Sequence, residues 1–308
     1  MPPVAPLDLA SLPAEPGVYR FWDAQGRVLY IGRAIDLRRR VRSYWGSLKG
    51  RPRMRRMVPQ IVRVDVAVCA SEHEAAWLER NLLEQRKPRW NRARGGLEVP
   101  VYLRLDASPR TPSLSVTHAA SAEDAAACFG PYLGGTRVRT AVTALGTIYP
   151  LAYTGEALGG AERSMAQARG VIAADRERLA ASIGLLLARD PATIAEACGQ
   201  LQARRGRAAA ELEFELAGRL QEQLEALEWL VSPQRVTVDG AGDATACGWA
   251  DGVLVEFGIK AGRVRTWTQR ECTEDEASPL IAATAPSHAD FAHRAATTAS
   301  HLRMLHLR

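Results

Sequence analysis

The chain has 308 residues, with 40 Lys and Arg against 34 Asp and Glu and a formal net charge of +6, a length that accommodates two or three domains with their own cores. No run of about eighteen apolar residues marks a membrane span, and the start, MPPVAPLDLASLPAEP, lacks a basic-then-apolar signal pattern, so the expectation is a soluble cytoplasmic protein. The five cysteines (69, 128, 198, 247 and 272) are scattered without a CxxC pair, which argues against both a metal cluster and a disulfide framework.

Residues 1–13 read as a Pro-rich, apolar lead-in. Apolar-alternating runs come next at 18–22 and 28–31, joined by Asp23-Ala24-Gln25-Gly26, a polar, Gly-ended connection that suits a hairpin. After Gly32 comes an arginine-rich helical pattern with Leu37, Val41 and Trp45 four apart. Tyr19 and Tyr30 fall on the paired strands with guanidinium groups close behind, an arrangement that points to chemistry on a phosphate; each tyrosine taken singly also fits aromatic strand packing. From Arg33 to Arg63 there are eleven Lys or Arg against one acid, Asp36. A solvated face is the ordinary explanation of such a run, and a phosphate-backbone footprint is the functional one. Its candidate DNA contacts are Arg38, Arg39, Arg42, Lys49, Arg51, Arg53, Arg55 and Arg56.

A short helix fits 51–59, and valines at 62, 64, 66 and 68 predict a central strand over 61–69. Ser71 and Glu74 form a capping box for a helix to about residue 86, stopped before Pro88. Ala75, Leu78, Leu82 and Leu83 make its core stripe, and Glu79 falls in the middle of it. A carboxylate there is costly unless paired or bound to a cation. The residues leave both open: a buried Glu–Arg pair or a metal ligand.

Gly17-Val18-Tyr19 and Tyr30-Ile31-Gly32, at hairpin spacing and succeeded by Gly-Arg-Ala and a basic helix ending Arg-Ser-Tyr, resemble the paired signature of the GIY-YIG nucleases. The surroundings look most like the N-terminal nuclease domain of the UvrC/Cho family of bacterial nucleotide excision repair. The resemblance implies an α+β fold: a small GIY-YIG nuclease domain over 14–95, with a short antiparallel sheet flanked by helices, then a mostly helical region and a small β-rich C-terminal part. It implies a metal-dependent DNA endonuclease making one incision near damage in duplex DNA, on the 3′ side as in Cho-like proteins. Tyr30 would be the general base, Tyr19 its hydrogen-bonding partner, Arg40 the phosphate clamp and Tyr44 an orienting group. Arg33 stands where the family usually has Lys. Glu79 would hold one divalent ion, Mg²⁺ or Mn²⁺. Pro88-Arg89-Trp90-Asn91 matches a family element in which Asn91, twelve residues beyond Glu79, holds the site's backbone; Trp90 replaces the usual Tyr or Phe. Nearby arginines and a metal would lower the phenol pKa from its ordinary value of about 10.

Gly95-Gly96 closes this domain. A linking β/helix segment spans 96–160, with strands at 99–105 and 114–118; Phe129-Gly130-Pro131-Tyr132 and a helical pattern over 137–145 resemble the segment next to the nuclease domain in the family. The family usually carries four cysteines just beyond it, thought to hold iron and sulfur. Residues 149–170 contain none, so no iron-sulfur cluster is expected, with Leu151 and Leu158 as replacement packing. Helices are expected over 161–188 and 191–202, with Ile172, Leu179, Ile183 and Leu186 as core, and a long one over 207–231. Within a helical region at 161–231, residues 210–217 resemble the UVR motif, the helical hairpin through which UvrC meets UvrB. Phe214, Leu216 and Leu220 would make that contact, although Gln221-Glu222 replaces the usual Arg-Asp and a leucine stripe also fits plain packing. Residues 232–308 predict strands at 234–238, 246–249, 253–259 and 264–269 and a C-terminal helix, a partial likeness to an RNase H-like domain that the remaining length does not complete. His288, His293, His301 and His306, spaced 5, 8 and 5, do not make a ligand trio on one face. Two further readings stay open: a non-catalytic repair adaptor holding DNA or UvrB, and a structure-specific nuclease for branched nucleic acid.

Overall fold

The hairpin forms where the alternation predicts it. In the computed structural model, which describes residues 11–91, 98–119 and 127–306, β1 (Gly17–Trp22) and β2 (Val28–Ala34) run antiparallel. The Asp23 carboxylate closes their turn by accepting from the Gln25 and Arg27 amides, while Gly26 takes a φ of 69°. Strand β3 (Arg63–Val68) pairs with the other edge of β1, giving the order β2-β1-β3. The strand expected to be central is therefore an edge, and β1 is central: β3 takes the outer edge of β1, while the backbone of Ile31 on β2 is occupied by Asn91. Helix α1 (Leu37–Arg42) is capped by Asp36, whose carboxylate accepts from the Arg39 amide at 2.8 Å. It stops after six residues, so the buried stripe is Leu37, Val41 and Tyr44, and Trp45 stands outside it. Helices α2 (Pro52–Met57) and α3 (Glu72–Gln85) come next, the latter capped by Ser71.

Residues Glu98–Ser232 form a compact unit of their own. Its sheet has the order β5-β4-β6, from β4 (Val101–Asp106), β5 (Ser113–Thr117) and β6 (Ala127–Tyr132). Helices α4 (Gly135–Ile148), α5 (Gly160–Arg169), α6 (Arg176–Leu187), α7 (Pro191–Ala210) and α8 (Phe214–Val231) complete it. Leu103, Leu145, Leu151, Ile183, Leu201 and Leu227 lie in its core. Ile172, expected there, is 66% exposed, because α5 ends at a left-handed Gly170 and the chain leaves the helix before reaching it. The single helix expected over 207–231 is two. At Leu212 the backbone turns left-handed, with φ 62°, and the Glu213 and Leu212 amides bond back to the Ala208 and Ala209 carbonyls to close α7.

The chain then returns to the first unit, which comprises Met1–Leu97 and Pro233–Arg308. Here β7 (Ala244–Ala250), β8 (Val253–Lys260) and β9 (Arg263–Glu271) make an antiparallel sheet, succeeded by α9 (Glu274–Ala282) and α10 (Pro286–His306). The strand expected at 234–238 is only a bridge from Thr237 to Arg263; its backbone is shared between Gly262 and Val264 on one side and Glu74 and Asn81 of α3 on the other. Gly248 is obligatory, since a Cβ there would overlap the Ala292 carbonyl of α10.

Two buried polar side chains of α3 draw partners from this return. The buried Glu74 carboxylate accepts from the Arg235 amide at 2.9 Å and from its guanidinium at 3.2 Å. Asn81 donates to the Val236 carbonyl and to Thr237 Oγ1. Helix α10 packs along β3, which is why both Asp65 and Val66, on opposite faces of an edge strand, are buried. Residues 1–97 alone would leave Glu74 with only the Ala70 amide, the Asn81 side-chain amide without these acceptors, and apolar surface wet. That fragment is expected to lack a cooperative thermal transition and dispersed amide resonances; a sharp melt matching that of the full chain would contradict this. Among the described residues, no helix is long and apolar enough to cross a membrane.

Candidate active site

Strand alternation sends Tyr19 and Phe21 to one face of the first sheet and Arg20 and Trp22 to the other. Tyr30 and Gly32 lie opposite Phe21 and Tyr19 in the register, and so share the tyrosine face. Gly32 is required there: a Cβ would come within 2.5 Å of the Tyr19 hydroxyl and 2.7 Å of the Tyr30 ring. The Tyr19 and Tyr44 hydroxyls are hydrogen-bonded at 2.7 Å, and both residues are buried. Arg40, on α1, donates its Nε to the Tyr19 hydroxyl at 3.3 Å. Tyr30 is half-buried, its ring 6.1 Å from those of Tyr19 and Tyr44.

From α3, the Glu79 carboxylate turns toward this cluster. Its Oε2 is 3.6 Å from Arg33 Nε, and it acts electrostatically on Tyr30 and on Arg40. Asn91 grips β2 from behind through both backbone groups of Ile31, accepting from the amide at 2.9 Å and donating to the carbonyl at 2.6 Å. Tyr19, Tyr30, Arg33, Arg40, Tyr44 and Glu79 thus come together, with Asn91 fixing the strand that carries Tyr30. Phe21, which sequence reasoning passed over, floors the cluster with its ring 5.1 Å from Tyr19 and 5.0 Å from Tyr44. Its position two residues after Tyr19 on an alternating strand was the available signal.

Burial works against the arginines at the phenols. Burial, reinforced by Tyr44 and Tyr30, pushes the Tyr19 phenol well above its ordinary pKa, and Arg40 opposes this only weakly. Burial and then Tyr44 do the same to Tyr30. Arg40 does act to lower both phenols, but without a metal, desolvation of the phenolate outweighs it. Burial also raises the Glu79 carboxyl, with Arg33 pulling the other way. The long contact to a half-exposed guanidinium, a hydrogen bond from the Arg33 backbone amide and the charge of Arg40 together do not offset its burial, which fits a divalent cation. Mg²⁺ in particular is held through one or two carboxylates with water completing its shell, and among the described residues no cluster of three or more His, Cys, Asp or Glu offers a richer site.

Arg38, Arg39, Arg42, Lys49, Arg51, Arg53, Arg55 and Arg56 are all exposed, on α1, on α2 and between them. Arg38 also ties down the lead-in by donating to the Leu12 carbonyl. In the other unit, Phe214 is 69% exposed and Leu216 is also exposed at the start of α8. Leu220, expected beside them as a partner contact, is buried in that unit's core: one further turn along α8, its side chain faces inward. His293 and His301 are exposed, and His288 lies 3.1 Å from the Arg235 carbonyl.

A three-stranded sheet presenting two tyrosines from a hairpin, an arginine and a third tyrosine from the next segment, and a glutamate from a later helix is the arrangement of a GIY-YIG domain. Residues 15–92 match the family model of the UvrC-like GIY-YIG domain and belong to that domain family. The UvrABC system protein C of Mycobacterium sp. (strain KMS) is 33% identical over 276 residues, covering 83% of this chain and 40% of that protein. The protein of the same name from Natronomonas pharaonis is 44% identical over 144 residues, covering 46% and 24%. The magnesium-bound GIY-YIG N-terminal endonuclease domain of UvrC from Thermotoga maritima is 34% identical, covering 27% of this chain and 90% of that one, with a TM-score of 0.25. The chain spans between 24% and 40% of the length of the curated relatives it matches.

Proposed function

We propose that this chain is a DNA endonuclease of nucleotide excision repair, hydrolysing one phosphodiester bond near damage in duplex DNA, on the 3′ side of the lesion. The observation that carries the reading is the meeting of Tyr19, Tyr30, Tyr44, Arg40 and Glu79 on one face, with eight exposed Lys and Arg on and between α1 and α2. Hydrolysis needs a water stripped of its proton, charge stabilisation for a pentavalent phosphate and a proton for the leaving oxygen. Glu79 would hold a divalent cation, Mg²⁺ or Mn²⁺, whose charge offsets that developing on the phosphate. Arg40, with its Nε on Tyr19, offers its terminal amino groups to the phosphate. Tyr44 orients the phosphate or the water, Asn91 keeps β2 in register, and Tyr30 takes the water's proton. The exposed turn around Phe214 and Leu216 is the surface for a UvrB-type partner.

Because the Tyr30 phenol is held above its ordinary pKa, the reactive phenolate is scarce at neutral pH. Its population grows tenfold per pH unit, so log rate should climb with a slope of about one between pH 7 and 9. A flat single-turnover profile over that range would remove Tyr30 as the base. The function itself is tested by a nicking assay on lesion-bearing duplex with Mg²⁺ or Mn²⁺, with and without UvrB, run beside branched substrates. One cut 3′ to the lesion is expected. Binding without cutting would mean an adaptor, and preference for branches a structure-specific nuclease.

A further inference from the structure

Trp45 stands one residue beyond Tyr44, where α1 has ended. Its indole meets the buried Phe21 ring edge-on, with centroids 5.9 Å apart at 85°, which holds it from one side, and 40% of the residue stays exposed. A single exposed apolar side chain is ordinary on a protein surface. Among the described tryptophans only Trp45 and Trp249 lack a covering guanidinium, and Trp249 is tied instead to the Cys272 carbonyl through its indole N–H. Guanidinium groups lie over the rings of Trp22, Trp77, Trp90, Trp229 and Trp267. Trp45 lies in the most arginine-rich stretch of the chain, yet among the described residues no guanidinium covers it. The neighbouring Arg42 and Lys49 are exposed instead, and no acid occurs between Asp36 and Asp65.

An open indole face in a field of outward-facing cations suits a ligand that is flat and apolar at one end and anionic at the other. A nucleotide of a DNA strand has that chemistry: base–aromatic stacking tolerates any sequence, and the phosphates satisfy the cations. Tyr44 reaches the Tyr19 hydroxyl from the adjacent position, so a base on Trp45 would lie beside the phosphate held by Arg40. We propose that Trp45 is a base-stacking platform that receives a nucleobase unstacked from the duplex next to the scissile phosphate. This rests on the nuclease reading for its location, and it makes local opening of the duplex part of substrate choice: bases already loosened by damage cost least to present.

The test uses duplexes bearing a bulky thymine adduct and a single 2-aminopurine, moved one position at a time on the cut strand, without divalent cation so that no cleavage intervenes. With the full-length wild type, 2-aminopurine emission should change at least twofold at one position. Trp45→Phe should keep that response. Trp45→Leu should lose it, with affinity lower by about 5- to 150-fold and an unchanged thermal transition. Equal emission and affinity for Trp45→Leu and wild type would overturn the proposal, as would a response at many positions independent of residue 45, or no binding at all. If the Trp45-dependent response appears but the chain never nicks in Mg²⁺, the platform stands and the hydrolase reading fails.

Discussion

Glu79→Gln should reduce nicking in saturating Mg²⁺ by about 10³-fold, leave DNA affinity within a few-fold, and leave thermal stability at pH 7 unchanged or higher. The carboxylate is largely withdrawn from water, and its ion pair with Arg33, at 3.6 Å, is well outside the 2.7–2.9 Å of a strong charge-assisted bond. Its pKa is raised by burial. A carboxyl whose folded pKa exceeds its unfolded value stabilises the fold as pH falls through that range and costs stability above it. Removing the charge therefore relieves the fold at neutral pH. A purely structural ion pair predicts the reverse, a lower melting temperature with nicking intact, so one variant separates the two explanations. Single-turnover nicking, filter binding and thermal melting on the same preparation suffice.

Arg20→Ala should destabilise the first unit by about 3 kcal/mol, lowering its melting temperature by about 6–12 °C. Arg20 is buried on the face of β1 away from the tyrosines. It donates Nε to Asp65 at 2.9 Å and Nη1 to the Trp267 carbonyl at 2.5 Å, with its guanidinium 3.8 Å from the Trp267 ring centroid. Truncation leaves Asp65 buried with only Trp22 and the half-exposed Arg63 as partners. Adding Asp65→Asn should recover part of the loss, because the stranded charge goes with it. A loss below 1 kcal/mol for Arg20→Ala would show that α10 and β9 hold the sheet without it. Since the tyrosine face is untouched, activity measured well below the melting point should change little.

What the sequence shows and what it hides divide along the range of the interactions. The hairpin and the capping residue Ser71 depend on neighbours within four positions, and each forms as the local pattern predicts; the cap at Asp36 is equally local but was not anticipated. Helix ends fared worse. Trp45 fits the spacing of Leu37 and Val41, but α1 stops at Arg42 and turns it outward. Leu212 fits the leucine stripe, but it occupies a left-handed turn and is 71% exposed. Strand β6, interrupted by Gly130-Pro131, carries no alternation to read. The Arg20–Trp267 contact spans 247 positions, and no local pattern announces it; nor does one announce that Glu74 and Asn81 complete their bonding with residues 235–237. The grouping of Glu79 with the tyrosines was legible through family resemblance, whereas periodicity alone marked it as an anomaly in an apolar stripe. The raised phenols were not legible at all, since they depend on how deeply the cluster is buried.

The central claim is that Tyr30 and Glu79 act on one phosphate in one step. The most direct measurement is the single-turnover nicking rate of Tyr30→Phe, Glu79→Gln and the double variant on one lesion-bearing duplex at saturating enzyme. Groups that serve the same transition state are strongly non-additive, so the double variant should be no slower than the slower single. Losses that multiply, or a Glu79→Gln rate equal to that of the wild type, would contradict the shared site.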